Sequence, residues 1–292
     1  MLAVKSSFFR SMAATLEMIK WEHSIFALPF AFTGAMLAAN GWPPANKLVW
    51  IVVCMVAARS AAMAFNRLVD ARLDAANPRT AMRALPAGTL SAGFVGAFVV
   101  LASAAFLAGA AMLNRMTLIL APLALALVLA YSYMKRVTRW SHLVLGLALG
   151  IAPAAAWIAV RGSLDVRIVV LTGLVMLWVG GFDVLYACQD FEHDREAGLH
   201  SIPQAFGLQG AFAIARVMHV AMVLLALSLD QLFRLGAVGY CGTAVVSLLL
   251  LYEHSLVSPG DLKKMNAAFF LLNGIISVVF FIFVAAGVLM RR

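Results

Sequence analysis

The sequence predicts an all-α integral membrane protein, and two observations predict it. Of its residues 64% are hydrophobic and 12% charged, whereas an average soluble domain is about half apolar and a quarter charged. Uncharged runs also recur, as from Ala84 to Asn114 and from Met265 to Met290, against the roughly 20 apolar residues a spanning helix needs. This composition excludes a disordered chain and argues against a soluble domain.

Nine spans follow along the chain. The first, near 20–40, comes after a segment whose Lys5, Arg10, Glu17, Lys20 and Glu22 make it too long and too charged for a cleaved signal peptide, so the span is expected to be retained. The second, 48–68, carries Arg59 and leads into an acidic cluster, and the third, 91–110, lies inside the first uncharged run. The fourth, 115–133, closes on Tyr131-Ser-Tyr-Met just before Lys135 and Arg136. In the fifth, 142–160, Gly146 and Gly150 lie one turn apart and are expected to let helices approach closely. The sixth, 168–188, runs into a second acidic cluster; the seventh, eighth and ninth fall near 210–229, 234–252 and 266–289. Nine helices leave only short connections and no room for a separate soluble domain, so residues 1–292 are expected to form one transmembrane domain.

If alternate loops share a side, one side holds Lys5, Arg10, Arg67, Arg72, Arg79, Arg83, Lys135, Arg136, Arg139 and Arg195 and is the more basic. The positive-inside rule places that side and the N-terminus in the cytoplasm and the C-terminus outside, in the inner (plasma) membrane of the cell. Every acidic residue except Asp165 and Asp230 falls on the same side, and most belong to two clusters. Topology explains the basic bias; the clustered acids need a reason of their own.

The first cluster places Asn66, Asp70 and Asp74 four residues apart, on one helical face. The second runs Asp183, Tyr186, Asp190, Asp194, with the last two aspartates again four apart. Asp70 and Asp190 are 120 residues apart, as are Asp74 and Asp194. This spacing fits two successive four-helix units, about 20–140 and 141–255, plus a ninth helix near 266–289, around a central cavity that opens to the cytoplasmic side. Mutually repelling carboxylates at a membrane interface call for a compensating cation. Hard oxygen ligands used one or two at a time, leaving room for phosphate oxygens and water, suit Mg²⁺. Two acidic pairs therefore predict two Mg²⁺ ions holding a diphosphate, with Asn66, Asp70, Asp74, Asp190 and Asp194 as ligands and Lys135 and Arg136 as the best-placed bases. Arg59, two turns deeper than Asn66 on the same face, is expected to hold an acceptor carboxylate.

These motifs resemble those of the UbiA superfamily of membrane prenyltransferases, over about Lys20 to Gly287. Asn66 to Asp74 is similar to its first aspartate motif, and Arg79-Thr-Ala-Met-Arg83-Ala-Leu-Pro-Ala-Gly88 to the stretch that follows. Tyr131 to Thr138 is similar to its Tyr-x-x-x-Lys-Arg-x-Thr pattern, and Asp183, Tyr186, Asp190 and Asp194 to its second aspartate motif. One departure stands out, since Arg67 occupies a position where the family usually has aspartate. The Glu22-to-Pro29 segment and Gly198-Leu-His-Ser-Ile-Pro203 resemble a quinone-pathway branch. The resemblance implies Mg²⁺-dependent transfer of a polyprenyl group from its diphosphate to a ring carbon of an aromatic acid, of 4-hydroxybenzoate or 1,4-dihydroxy-6-naphthoate type, in ubiquinone or menaquinone synthesis. Partners would be the polyprenyl diphosphate, the acceptor and membrane lipid, with no nucleic acid. Arg67, Arg72, Lys135 and Arg136 are then expected on the diphosphate, and Asp183 or Tyr186 at the acceptor phenol.

Other features read as packing. Cys54, Cys188 and Cys241 lie in spans at no metal-ligand spacing, and His23, His142, His193, His200, His219 and His254 form no ligand pattern, so core or interface roles are expected. A secondary transporter is the rival from another class, because repeats and intramembrane carboxylates also mark transport pathways. Its charges would lie near the bilayer midplane rather than beside a basic loop. Within the enzyme class, chlorophyllide, haem or a lipid ether are alternative acceptors.

Overall fold

The computed structural model describes residues 13–19, 24–263, 265 and 268–291. Lys5, Arg10, Lys20, Glu22, His23, Lys264 and Arg292 lie outside the described residues. The described chain is helical, in nine main helices: α1 (Ser24–Ala39), α2 (Ala45–Ala76), α3 (Ala92–Ala111), α4 (Arg115–Ala130), α5 (Ser141–Arg161), α6 (Arg167–Ala187), α7 (Ile202–Leu232), α8 (Gly236–Ser255) and α9 (Asn273–Met290). Eight helical segments among the described residues are long and apolar enough to cross a membrane, and α1 contributes a shorter apolar stretch, Ala27–Ala39.

Three helices outrun the spans expected from hydropathy: α7 at both ends, and two others where the acidic clusters lie. At 32 residues, α2 is about 48 Å long, well beyond a hydrocarbon core of about 30 Å. Its surplus turns carry Asn66, Asp70 and Asp74. Likewise α6 continues through a 3₁₀ turn, Cys188–Asp190, into a short helix, Phe191–Glu196. Hydropathy falls where these turns begin, but Arg, Leu, Asp and Ala in sequence still propagate a helix. By contrast α4 stops at Ala130 and a 3₁₀ turn, Tyr131–Arg136, presents Lys135 and Arg136.

Caps hold the ends in place. Ser91 accepts from the Phe94 N–H and Ser201 from the Gln204 N–H. Asn114 accepts from the Thr117 N–H while its amide donates to the carbonyls of Ile158 and Ala159, tying the start of α4 to the end of α5. Gly207, at φ 70°, breaks α7 one turn after its start.

In lipid, helices associate by close packing rather than by the hydrophobic effect, so small residues decide which pairs can meet. α1 packs on α5 and α9, α5 on α6, α6 on α7, and α2 on α3. A methyl group at Gly146 would overlap the Met176 carbonyl oxygen, and one at Gly150 would stand 2.7 Å from that of Thr172, so both glycines do bring α5 onto α6. Gly34 does the same for α1 against Pro153 of α5. Phe30, Trp178, Phe182 and Phe280 interlock α1, α6 and α9, with ring centroids 4.9–5.3 Å apart. α2 and α4 contact α5 over less of their length, and a cavity opens among the three.

Gly146→Ala is therefore expected to destabilise the protein by about 1–3 kcal/mol through overpacking. Gly93→Ala, with open space around the added carbon, should leave stability unchanged. Thermal unfolding midpoints in detergent check both.

Candidate active site

The surplus turns of α2 and the extension of α6 meet over one cleft of about 270 Å³. Asn66, Arg67, Asp70, Asp74, Lys135, Arg136, Asp183, Tyr186, Asp190 and Asp194 all line it. The two aspartate motifs thus share a single space. Apart from Arg67 on α2, the bases come from two connections, the segment 77–91 between α2 and α3 and the 3₁₀ turn 131–136.

Each aspartate of the two pairs has a basic partner. Asp70 accepts from Arg136 Nη2 at 2.8 Å and from the Asn66 amide at 2.9 Å, and the same Arg136 nitrogen reaches the Val69 carbonyl at 2.9 Å. Arg83 Nη1 donates to Asp74 Oδ1 at 2.6 Å. Arg79 forms a two-pronged pair with Asp190, Nε to Oδ1 at 2.9 Å and Nη2 to Oδ2 at 2.6 Å, with the Asn77 amide adding a third bond at 3.3 Å. Lys135 Nζ stands 3.6 Å from Asp194 Oδ2. Each connection sends one base to each acidic motif. Arg79 Nη1 also donates to the Tyr186 hydroxyl at 3.3 Å. Burial works against the Arg79 charge, but its bonds to Asp190 outweigh that and raise its pKa above the ordinary guanidinium value.

Two carboxylate oxygens in this cleft are buried without a hydrogen bond, Asp74 Oδ2 and Asp194 Oδ2. Leaving such atoms unsatisfied is costly. One lies on each motif, and both are hard oxygen donors, so the residues present fit a divalent cation. Among the described residues no three His, Cys, Asp or Glu side chains converge on one point. An ion here would therefore draw its remaining ligands from water and phosphate oxygens, as Mg²⁺ commonly does.

Asp183 lines the same cleft and accepts from His142 Nδ1 at 2.7 Å. His142 lies in the core, as expected of the histidines, and it is also bonded to a carboxylate of the site. Arg67 stands 4.0 Å from Asp74 Oδ2 and 3.4 Å from Asn66 Oδ1.

Two expected site residues fall elsewhere. Arg72 is exposed and does not line the cleft; two residues past Asp70 it points about 200° around the helix. Arg59 does lie on the Asn66 side of α2, but it lines a second cavity of about 400 Å³ among α2, α4 and α5. That chamber is otherwise apolar, with Met55, Leu120, Leu127 and Leu149 in its wall, and Arg59 is the charged residue among its lining. Tyr131 and Leu145 line both cavities, so the polar cleft and the apolar chamber adjoin. The combined site has room for a charged head and a hydrocarbon body.

Sequence reasoning ranked Arg79 and Arg83 below Lys135 and Arg136 and did not single out Asn77. Their signal was the spacing of four after the helix end at Asn77-Pro78, which lets one segment reach two carboxylates. Arg79→Gln is expected to destabilise the protein by about 1–2 kcal/mol, between the values typical of exposed and buried pairs, because Asp190 loses a two-pronged partner. Adding Asp190→Asn should recover part of that loss, as a double-mutant cycle of unfolding midpoints would read.

The UbiA prenyltransferase family model matches residues 27–275. A 4-hydroxybenzoate octaprenyltransferase of Vibrio parahaemolyticus is 32% identical over 223 residues, 76% of this chain and 78% of that protein. The apo structure of a UbiA homologue from Aeropyrum pernix K1 aligns with a TM-score of 0.82 at 34% identity, covering 93% of this chain and 98% of that one. A UbiA homologue from Archaeoglobus fulgidus bound to DMAPP and Mg²⁺ shares the fold, with a TM-score of 0.74, 17% identity and coverage of 94% and 98%. With the family's motifs lining one cleft at the end of a helical membrane bundle, the chain belongs to the UbiA prenyltransferase family.

Proposed function

We propose that this prenyltransferase moves a polyprenyl group from its diphosphate to a ring carbon of an aromatic acid, of 4-hydroxybenzoate or 1,4-dihydroxy-6-naphthoate type, for quinone synthesis. One observation carries the reading: a charged cleft adjoins an apolar chamber, and the two share Tyr131 and Leu145. A diphosphate with a long hydrocarbon tail has that division of polarity. The name of the Vibrio parahaemolyticus relative supports an aromatic acid acceptor.

Asn66, Asp70 and Asp74 on one side and Asp190 and Asp194 on the other are the residues that would hold Mg²⁺, most directly through Asp74 Oδ2 and Asp194 Oδ2, which carry no hydrogen bond. Bound Mg²⁺ supplies charge neutralisation to the leaving diphosphate. The A. fulgidus homologue, whose structure holds DMAPP and Mg²⁺, supports that pairing of ligands. Lys135, Arg136, Arg79 and Arg83 then exchange their aspartate partners for phosphate oxygens, and Arg67 adds a fixed charge between them. Preorganised donors of this kind favour the state in which negative charge develops. The allylic C–O bond breaks with its electron pair leaving on pyrophosphate. A ring carbon of the acceptor donates a π pair to the allylic carbon, and the ring then passes the proton at that carbon to the departing pyrophosphate, which restores aromaticity.

Asp183 or Tyr186 would orient the acceptor phenol or take its proton, and Arg59 would hold the acceptor carboxylate from the chamber side. The tail lies along the apolar chamber. The cleft opens on the cytoplasmic side of the inner membrane by the positive-inside rule, and the two motifs close two four-helix halves, about 20–140 and 141–255.

Asp70→Ala and Asp190→Ala should each lower turnover by roughly 100-fold or more while the protein stays folded. EDTA should abolish activity and Mg²⁺ restore it. Mass spectrometry of the lipid product, from membranes given a prenyl diphosphate and a panel of aromatic acids, reads both results; retained turnover in either variant would remove the metal-holding role. Arg59→Ala should cost the enzyme its preference for acceptors bearing a carboxylate, seen as equal kcat/KM for the acid and its carboxylate-free analogue.

A further inference from the structure

His142 opens α5 with no exposure to solvent at all, and its ring makes two bonds of opposite sense. The backbone N–H of Ile202 lies 3.3 Å from Nε2 and can only donate. Nε2 is therefore the acceptor, and a neutral ring carries its proton on Nδ1. Nδ1 lies 2.7 Å from Asp183 Oδ2, so that N–H donates to the carboxylate. The Asp183 side chain is 21% exposed and lines the cleft, so its solvent-facing part points away from the buried ring.

We infer that His142 is a positioning residue for Asp183: it clamps one carboxylate oxygen from beneath the cleft and leaves the other to meet the acceptor. The inference rests on the aromatic-acceptor reading above. Its second anchor matters as much as the first. Ile202 is the first residue of α7, where backbone N–H groups have no partner within the helix, so the ring is registered against the helix start that follows the second aspartate motif. The His200 N–H donates to the Lys135 carbonyl at 2.6 Å in the same connection. Asp183 is thereby held in a fixed relation to the turn that bears Lys135 and Arg136.

Glutamine offers both a donor and an acceptor at similar reach, and leucine offers neither. In steady-state assays of the full chain, His142→Gln should keep acceptor kinetics within about threefold of the parent. His142→Leu should cut kcat/KM for the aromatic acid by roughly tenfold or more, as loss of a charged hydrogen bond implies. KM for the prenyl diphosphate should not move. On an Asp183→Asn background the leucine effect should vanish, because the residue through which it acts is already altered. If the leucine variant does not accumulate in membranes, His142→Asn, one bond too short to serve both partners, should show the same split. An active parent whose leucine or asparagine variant leaves acceptor kinetics unmoved, or loses both substrates equally, would overturn the role. A parent that prenylates no aromatic acid would overturn the functional reading along with it.

Discussion

Electroneutrality of one small cleft governs the architecture around it. Its wall carries five carboxylates, Asp70, Asp74, Asp183, Asp190 and Asp194, and five bases, Arg67, Arg79, Arg83, Lys135 and Arg136. At the edge of a low-dielectric bundle, like charges that close repel far more strongly than in water. The acids are fixed to two long helices, and apart from Arg67, which α2 itself carries, the bases are delivered from elsewhere. The segment after α2 folds back with Arg79 and Arg83, and α4 ends early so that Lys135 and Arg136 arrive on a tight turn. Because each connection reaches both motifs, the ion pairs also stitch the ends of α2 and α6 together across the opening.

These pairs are held loosely enough to be exchanged. The side chains of Arg79, Arg83, Lys135 and Arg136 are 30–39% exposed, while Asp74, Asp190 and Asp194 are at most 10% exposed. Partly solvated bases contribute only modest net stability per pair and can change partners when phosphate oxygens are offered. Buried carboxylates cannot relax into water, so they stay where a cation can find them. The apolar chamber imposes the complementary limit: small residues at Gly34, Gly146 and Gly150 draw α1, α5 and α6 tight, which leaves the free volume on the side of α2 and α4.

Much of this was legible in the sequence because it depends on local spacing. Aspartates four apart share a helical face whatever the fold, and both such faces line the one cleft. What sequence reasoning missed depends on rotation or on long-range contact. Arg72 is near the site along the chain, yet the turn of the helix carries it to the far side. Arg59 was placed on the correct side of α2, but nothing in the sequence said that the space there divides into a polar cleft and an apolar chamber. His142 stands alone at the head of an apolar helix, and its partner Asp183 lies 41 residues away. A span read from hydropathy alone stops short of the end of α2, whereas the spacing of four already sets Asn66, Asp70 and Asp74 on a helix, as α2 does.

Arg67 shows what the balance means for binding. At its position the resemblance led to an expected aspartate, and replacing an acid by a base moves the local charge by two units. With aspartate there the ten charges would not cancel; with Arg67 they do. Its nearest carboxylate, Asp74, already bonds to Arg83 at 2.6 Å, so Arg67 is held only at 4.0 Å. A neutral cleft has little net attraction for a polyanion, and one that binds must bring cations with it or release bases from their partners. In the function proposed above both routes would converge on the same residues, since a cation settling on the aspartates would free Arg79, Arg83, Lys135 and Arg136 for phosphate. Arg67, tied least to any acid, needs no such release.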